Sequence, residues 1–279
     1  MVSFLFGFFI PTSSWILDGF AIGILGLCIG SFLNCVIYRL EEEKSLNGRS
    51  FCPNCKHNLT WKDLFPVFSY LFLGGKCRYC AKKISWQYPA VEFATGIIFL
   101  LIFNFQFSIF NEFSIIQFLN LAFLFYIASA LIIIFVYDLK HYLIPDKVLL
   151  PAIIITFIFC IFEEFNSNFK FQISNYLLAA IIASGFFLLI FLVSRGRWMG
   201  FGDVKLAVLM GLALGVPNIF VALFLAFFFG AIIGVILMVF QKKGLKSEIP
   251  FGPFLIAGTF LALFWGHEMI VWYLRLFQI

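Results

Sequence analysis

Residues 115–137 read IIQFLNLAFLFYIASALIIIFVY, and Asp138 follows at once. The run carries no charge, and a helix needs about 20 such residues to cross the hydrocarbon core of a bilayer. Its apolar residues are continuous, whereas the strands of a membrane barrel alternate, so a spanning helix is predicted. Working outward, comparable runs lie near 15–38, 89–105, 147–163, 174–194, 203–216, 217–240 and 251–274, which makes eight predicted spans. The sixth is short and rich in glycine (Gly200, Gly202, Gly211 and Gly215), so seven spans plus a re-entrant piece is the alternative.

Composition points the same way. Hydrophobic residues make up 63% of the chain and charged residues 12%, about half the charged fraction of a soluble domain. A compact soluble fold of 279 residues could not cover that much apolar surface, whereas lipid can solvate it. The predicted class is an all-α polytopic membrane protein with one small polar loop domain.

Basic residues orient such a chain, because Lys and Arg accumulate in cytoplasmic loops. They crowd into 39–88, recur at Lys140 and Lys147, at Arg195, Arg197 and Lys205, and at Lys242, Lys243 and Lys246. The intervening turns hold almost none, so 17 of the 19 basic residues fall on one face. That face is expected to be cytoplasmic. Both termini then face out, which requires an even number of spans and favours eight over seven. The net charge of +5 reflects this asymmetry, and no nucleic-acid partner is expected. The opening Met1-Val2-Ser3-Phe4 lacks a basic region, so no cleavable signal peptide is expected either.

The loop 39–88 contains Cys52-Pro53-Asn54-Cys55 and Cys77-Arg78-Tyr79-Cys80. Two C-x-x-C turns at this spacing match a four-cysteine zinc ribbon, each turn offering two thiolates to one tetrahedral ion. Nearby Lys and Arg favour the thiolate form. A loop this short has little core of its own, so metal binding would supply much of its folding energy. Two disulfides or unpaired thiols are the competing readings, and a reducing cytosol argues against disulfides. Cys28, Cys35 and Cys160 sit in apolar spans and read as small core residues. His57 reads as a surface residue.

Carboxylates are costly in apolar spans, so acids there are functional candidates. Most acids here lie in plain loops. Asp138 closes the run quoted above, and Asp203 follows Gly200-Phe201-Gly202. The basic-residue pattern puts both at one face. Two close carboxylates cannot both ionise easily, so one keeps a proton while the other stays charged. Such a pair can hold a water for attack on a peptide carbonyl. The competing readings are helix caps or an ion pathway. Asp146, after Ile144-Pro145, reads as a helix-start acid.

Several motifs carry a family resemblance. Gly200-Phe201-Gly202-Asp203-Val204-Lys205 resembles the G-x-G-D-x-K motif of type IV prepilin peptidases, and Asp138-Leu139-Lys140-His141-Tyr142-Leu143-Ile144-Pro145-Asp146 resembles that family's other aspartate segment. Gly30-Ser31-Phe32-Leu33-Asn34-Cys35-Val36-Ile37-Tyr38-Arg39 is similar to its first-helix signature. The paired C-x-x-C turns, the stretch Ile84 to Glu92 and Ile249-Pro250-Phe251-Gly252-Pro253-Phe254 are similar to its loop and its final helix. Lys62-Asp63-Leu64-Phe65-Pro66 departs from the family pattern at that point.

The resemblance implies an intramembrane aspartic protease with Asp138 and Asp203 catalytic. It implies removal of the leader from prepilins or pseudopilins at the cytoplasmic face, after a Gly. N-methylation of the new terminus from S-adenosylmethionine would follow, with Gly75 and Lys76 at positions needed for methyl transfer. It also implies one structural zinc at Cys52, Cys55, Cys77 and Cys80, and a place in the bacterial inner membrane. The expected division is a methyltransferase-like segment at 1–104 and a peptidase core at 105–279. A transporter with paired proton-carrying acids and a presenilin-like peptidase without methylation are the alternatives.

Overall fold

The computed structural model describes residues 13–109, 115–166, 172–240 and 249–276. Each predicted apolar run forms a helix: α1 (Ser13–Glu41), α3 (Gln87–Ile109), α4 (Ile115–His141), α5 (Asp146–Asn166), α6 (Ile173–Ser194), α7 (Phe201–Leu214), α8 (Asn218–Val239) and α9 (Gly252–Leu276). A short helix, α2 (Phe68–Phe72), lies in the polar loop. Strand pairing among the described residues is confined to two isolated bridges in that loop. Among the described residues, seven helices are long and apolar enough to cross a membrane.

The exception is α7, the run expected to be short. Its 14 residues rise about 21 Å at 1.5 Å each, against a hydrocarbon core of about 30 Å. Asp203, Val204, Leu206, Ala207, Leu209, Met210, Gly211, Leu212 and Leu214 are all buried. A helix buried along most of its length belongs among other helices.

The chain divides into two compact units, residues 1–129 and 130–279. In the first, α1 lies along α3 through small residues. A Cβ on Gly26 would stand 2.8 Å from Gly96 Cα, and one on Gly30 would stand 2.6 Å from Glu92 Cα. Such close backbone approach is the usual means of helix association in lipid. The stacked rings of Phe99 and Phe125, 4.1 Å apart, join α3 to the first part of α4.

Two buried polar residues of the α1 signature shape the loop that follows. Asn34 donates to the Tyr88 carbonyl at 3.0 Å. The Arg39 guanidinium donates to the carbonyls of Leu46 and, at 2.8 Å, Gly48. These carbonyls therefore satisfy donors of the buried Arg39 and tie the chain after α1 back to the helix end.

In the second unit, α7 is the element the others pack around. A Cβ on Gly211 would overlap the backbone of Ala179 and Ala180 in α6. One on Gly258 of α9 would overlap Ala222 of α8. The Cys160 thiol of α5 meets the Leu212 carbonyl at 3.5 Å. Cys160 is therefore the core residue expected, while Cys28 lies on an exposed face of α1.

Candidate active site and metal centre

Both C-x-x-C turns are built alike. In the first, Cys52 N–H donates to the His57 carbonyl and Lys56 N–H to the Cys52 carbonyl, both at 2.9 Å. In the second, Cys77 N–H donates to Lys82 and Ala81 N–H to Cys77, again at 2.9 Å. Phe51 bridges to Asn58 as Lys76 bridges to Lys83. The residue after the second cysteine turns left-handed in each, Lys56 at φ 59° and Ala81 at φ 56°. These paired turns form a local repeat.

The two turns bring all four thiols together. The Sγ atoms of Cys52, Cys55, Cys77 and Cys80 lie within 4.8 Å of one another. Cys52 and Cys80 are 4.0 Å apart. Four bonds of ~2.3 Å to a tetrahedral ion put sulfurs ~3.8 Å apart, so this donor set fits zinc. All seven cysteines are free thiols rather than disulfides. His57 is exposed and stacks on Tyr79 with ring centres 3.7 Å apart.

Asp63 ties the segment between the turns to the second of them. It accepts from Arg78 Nε at 2.7 Å, Thr60 Oγ1 at 2.7 Å, Thr60 N–H at 3.0 Å and Tyr79 Oη at 3.1 Å. Burial pushes its pKa up, but these donors outweigh burial and hold it at about 2. A depressed carboxylate stabilises the fold above its ordinary pKa and loses that contribution as pH falls. This tie therefore persists through the neutral and mildly acid range.

Gly75 is buried at φ 67°, and a Cβ there would meet Tyr70 Oη at 2.9 Å. Tyr70 thus fills the space beside Gly75. The Gly75 carbonyl accepts from Ile84 N–H at 2.8 Å, closing the turn that presents the exposed Lys76.

In the second unit, Asp138 lies near the C-terminal end of α4 and Asp203 in the first turn of α7. Both are buried, and they are near enough for the charge of Asp138 to act on Asp203. Each carboxylate meets the start of a helix. Gly252 N–H, at the first residue of α9, donates to Asp138. Gly200 N–H, at the N-cap of α7, donates to Asp203. First-turn N–H groups have no partner within their own helix, and their partial positive charge complements an anion.

Ile144 packs between the two helix starts. A Cβ on Gly202 would lie 3.1 Å from Ile144 Cβ, and one on Gly252 would lie 3.6 Å from Ile144 Cδ1. The acids sit at helix ends, away from the middle of any span.

Asp146 is the exposed first residue of α5. Lys205 Nζ grips both of its oxygens at 2.7 Å, which pins the start of α5 to the first turns of α7.

Sequence reasoning missed two residues. It gave no role to Gly252, although the motif around it was noted, and a Cβ at 252 would overlap Asp138 Oδ2. It also passed over Glu92, a buried acid in α3 that accepts from Val67 N–H at 2.7 Å.

Residues 24–105 match the family model described as the bacterial peptidase A24 N-terminal domain. Residues 125–235 match the model of the type IV leader peptidase family. A Bacillus subtilis protein is 30% identical over 258 residues, covering 91% of this chain and 96% of its own length. A Legionella pneumophila protein is 32% identical over 280 residues, covering 91% and 93%. A Pseudomonas aeruginosa protein is 29% identical over 280 residues, covering 90% and 92%. All three bear the name prepilin leader peptidase/N-methyltransferase. No solved structure matches.

Proposed function

We infer the chemistry from the premise that this chain belongs to the prepilin leader peptidase/N-methyltransferase family, a family of multi-pass membrane enzymes. The reading is an aspartic peptidase in which Asp138 and Asp203 remove the leader of prepilins or pseudopilins. The observation that carries it is the pair of buried carboxylates, within electrostatic reach of one another, each held by the N–H of a helix-start glycine.

One carboxyl holds a proton and the other is ionised, because two adjacent charges in a buried site are unfavourable. The ionised carboxylate takes a proton from a water as that water's oxygen bonds to the scissile carbonyl carbon. The protonated partner hydrogen-bonds the developing oxyanion. Collapse breaks the C–N bond, and a proton passes to the leaving amine. The single basic face in the Lys and Arg pattern supports a cytoplasmic site in the inner membrane.

The four thiolates of Cys52, Cys55, Cys77 and Cys80 would hold a zinc with a structural role, since four protein ligands would leave no open coordination position. Purified protein is expected to contain about one zinc per chain, measured by elemental analysis. Cys52→Ser or Cys77→Ser should lower that content, and a variant lacking all four cysteines should contain none.

S-adenosylmethionine, when bound, supplies the methyl group for the amine that cleavage exposes. Lys76 is proposed to meet its carboxylate, and Gly75 to hold the turn that presents Lys76. The residues expected to divide the work are 1–104 for methylation and 105–279 for cleavage. Purified protein given a prepilin and labelled S-adenosylmethionine tests the whole reading, because cleavage and methylation are followed in one reaction. Gly75→Val should abolish label transfer and spare cleavage. Equal loss of both activities would instead mark Gly75 as needed only for folding of the loop.

A further inference from the structure

Between the two cysteine turns the chain reads Trp61-Lys62-Asp63-Leu64-Phe65-Pro66-Val67-Phe68-Ser69-Tyr70-Leu71-Phe72-Leu73. This is an apolar stretch inside the most polar loop of the protein, and most of its large apolar side chains stay exposed. Phe72 is 86% exposed, Trp61 73% and Leu71 62%. Trp61 and Phe72, with Phe65 and Phe68, border a groove of about 210 Å³. Trp86, 68% exposed, stands just before α3. Contiguous apolar surface of this kind marks a binding face.

The depth of the segment identifies what it binds. Val67 N–H donates to Glu92 Oε2 at 2.7 Å. Glu92 lies within α3, five residues beyond Gln87, or about 7.5 Å along the helix axis. The Ser31 hydroxyl of α1 also bonds to Glu92. Both α1 and α3 are long and apolar enough to cross a membrane, so Val67 is fastened level with the first turns of α3 and the C-terminal half of α1 instead of standing above them.

The fastening is specific. Val67 adopts φ 61°, a conformation rare for a β-branched residue and kept only where surrounding contacts impose it. Lys62, Lys76 and Arg78 lie near the aromatic groups in sequence or line the groove. Aromatic side chains beside basic ones at the end of a span are the composition of a membrane-interface anchor. Cations there also meet the negative surface of the cytoplasmic leaflet.

We propose that residues 61–73 form an interfacial anchor that seats its aromatic side chains among the anionic headgroups of the bilayer, holding the metal-binding turns down on the membrane. The anchor is occupied whether or not a substrate is present. This distinguishes it from a docking groove for the apolar helix of a prepilin, which would be filled only during turnover.

The test uses the full chain in nanodiscs of phosphatidylethanolamine and phosphatidylglycerol. p-Benzoylphenylalanine replaces Phe72 in one sample and Asn54, exposed in the first cysteine turn, in another. After irradiation without substrate, intact-mass analysis should find about tenfold more phospholipid adduct at position 72 than at 54, as expected for an interfacial side chain. Equal lipid labelling at the two positions would overturn the proposal. So would labelling at 72 that appears only with added prepilin and is attached to it.

Discussion

Asp138→Asn and Asp203→Asn are each expected to stop leader cleavage while the protein stays inserted and keeps its zinc. Asparagine matches the size and the hydrogen-bonding reach of aspartate but cannot pass on a proton. Loss of acid–base assistance of this kind costs about 10²- to 10⁴-fold in rate. The double variant should be no slower than either single one, because groups that act as a unit are not additive. Leader removal in membranes, normalised to protein amount, is the measurement, and wild-type cleavage by either variant would end the assignment.

Asp146→Asn serves as the contrasting case. It weakens an ion pair to Lys205 that is half open to solvent, and such pairs contribute about 0–1 kcal/mol. Substantial cleavage should remain. An inactive Asp146→Asn beside an active Asp138→Asn would move the first aspartate to 146.

Gly252→Ala is expected to lower cleavage about 100-fold, the scale on which a displacement near 1 Å acts on a reacting geometry. The added methyl group would overlap Asp138 Oδ2 and stand 3.2 Å from Asp138 Cγ. The carboxylate must then turn away, losing the Gly252 N–H that holds it. Gly252 does not touch substrate in this reading; it positions Asp138.

Gly234→Ala in α8 provides the control, since a Cβ there meets nothing within 4 Å and alanine favours a helix interior over glycine. It should cleave like the unaltered protein. The loss in Gly252→Ala should fall on the rate constant for cleavage, with zinc content and membrane insertion unchanged. A general weakening of the fold would instead lower the amount of inserted protein. Full activity of Gly252→Ala would remove Gly252 from the site.

The membrane fold was legible in the sequence because each span is a local property. A run such as 115–137 transfers from water to lipid as one segment, whatever its neighbours are. The four cysteines were legible for a related reason: a C-x-x-C turn presents its two thiols from one local backbone conformation, so spacing reports donor geometry. Asp138 and Asp203 stood out because few acids interrupt or end the apolar runs, and their flanking motifs resembled one family.

Other features depended on elements far apart in the chain. The run at 203–216 is too short to decide alone between a span and a buried helix, and its burial among α5, α6 and α9 makes α7 a core element. The grip of Gly252 on Asp138 needs the start of α9 brought to the end of α4. That contact is made by a backbone N–H and by the absence of a side chain, neither of which leaves a chemical mark in the sequence. The role of Glu92 likewise depends on Val67, distant in the chain, folding back upon it. Hydrophobic transfer and tight turns act over a few residues and can be read from them. Close approach between distant backbones is decided only when the helices pack, because steric fit belongs to pairs of surfaces and to neither sequence segment alone.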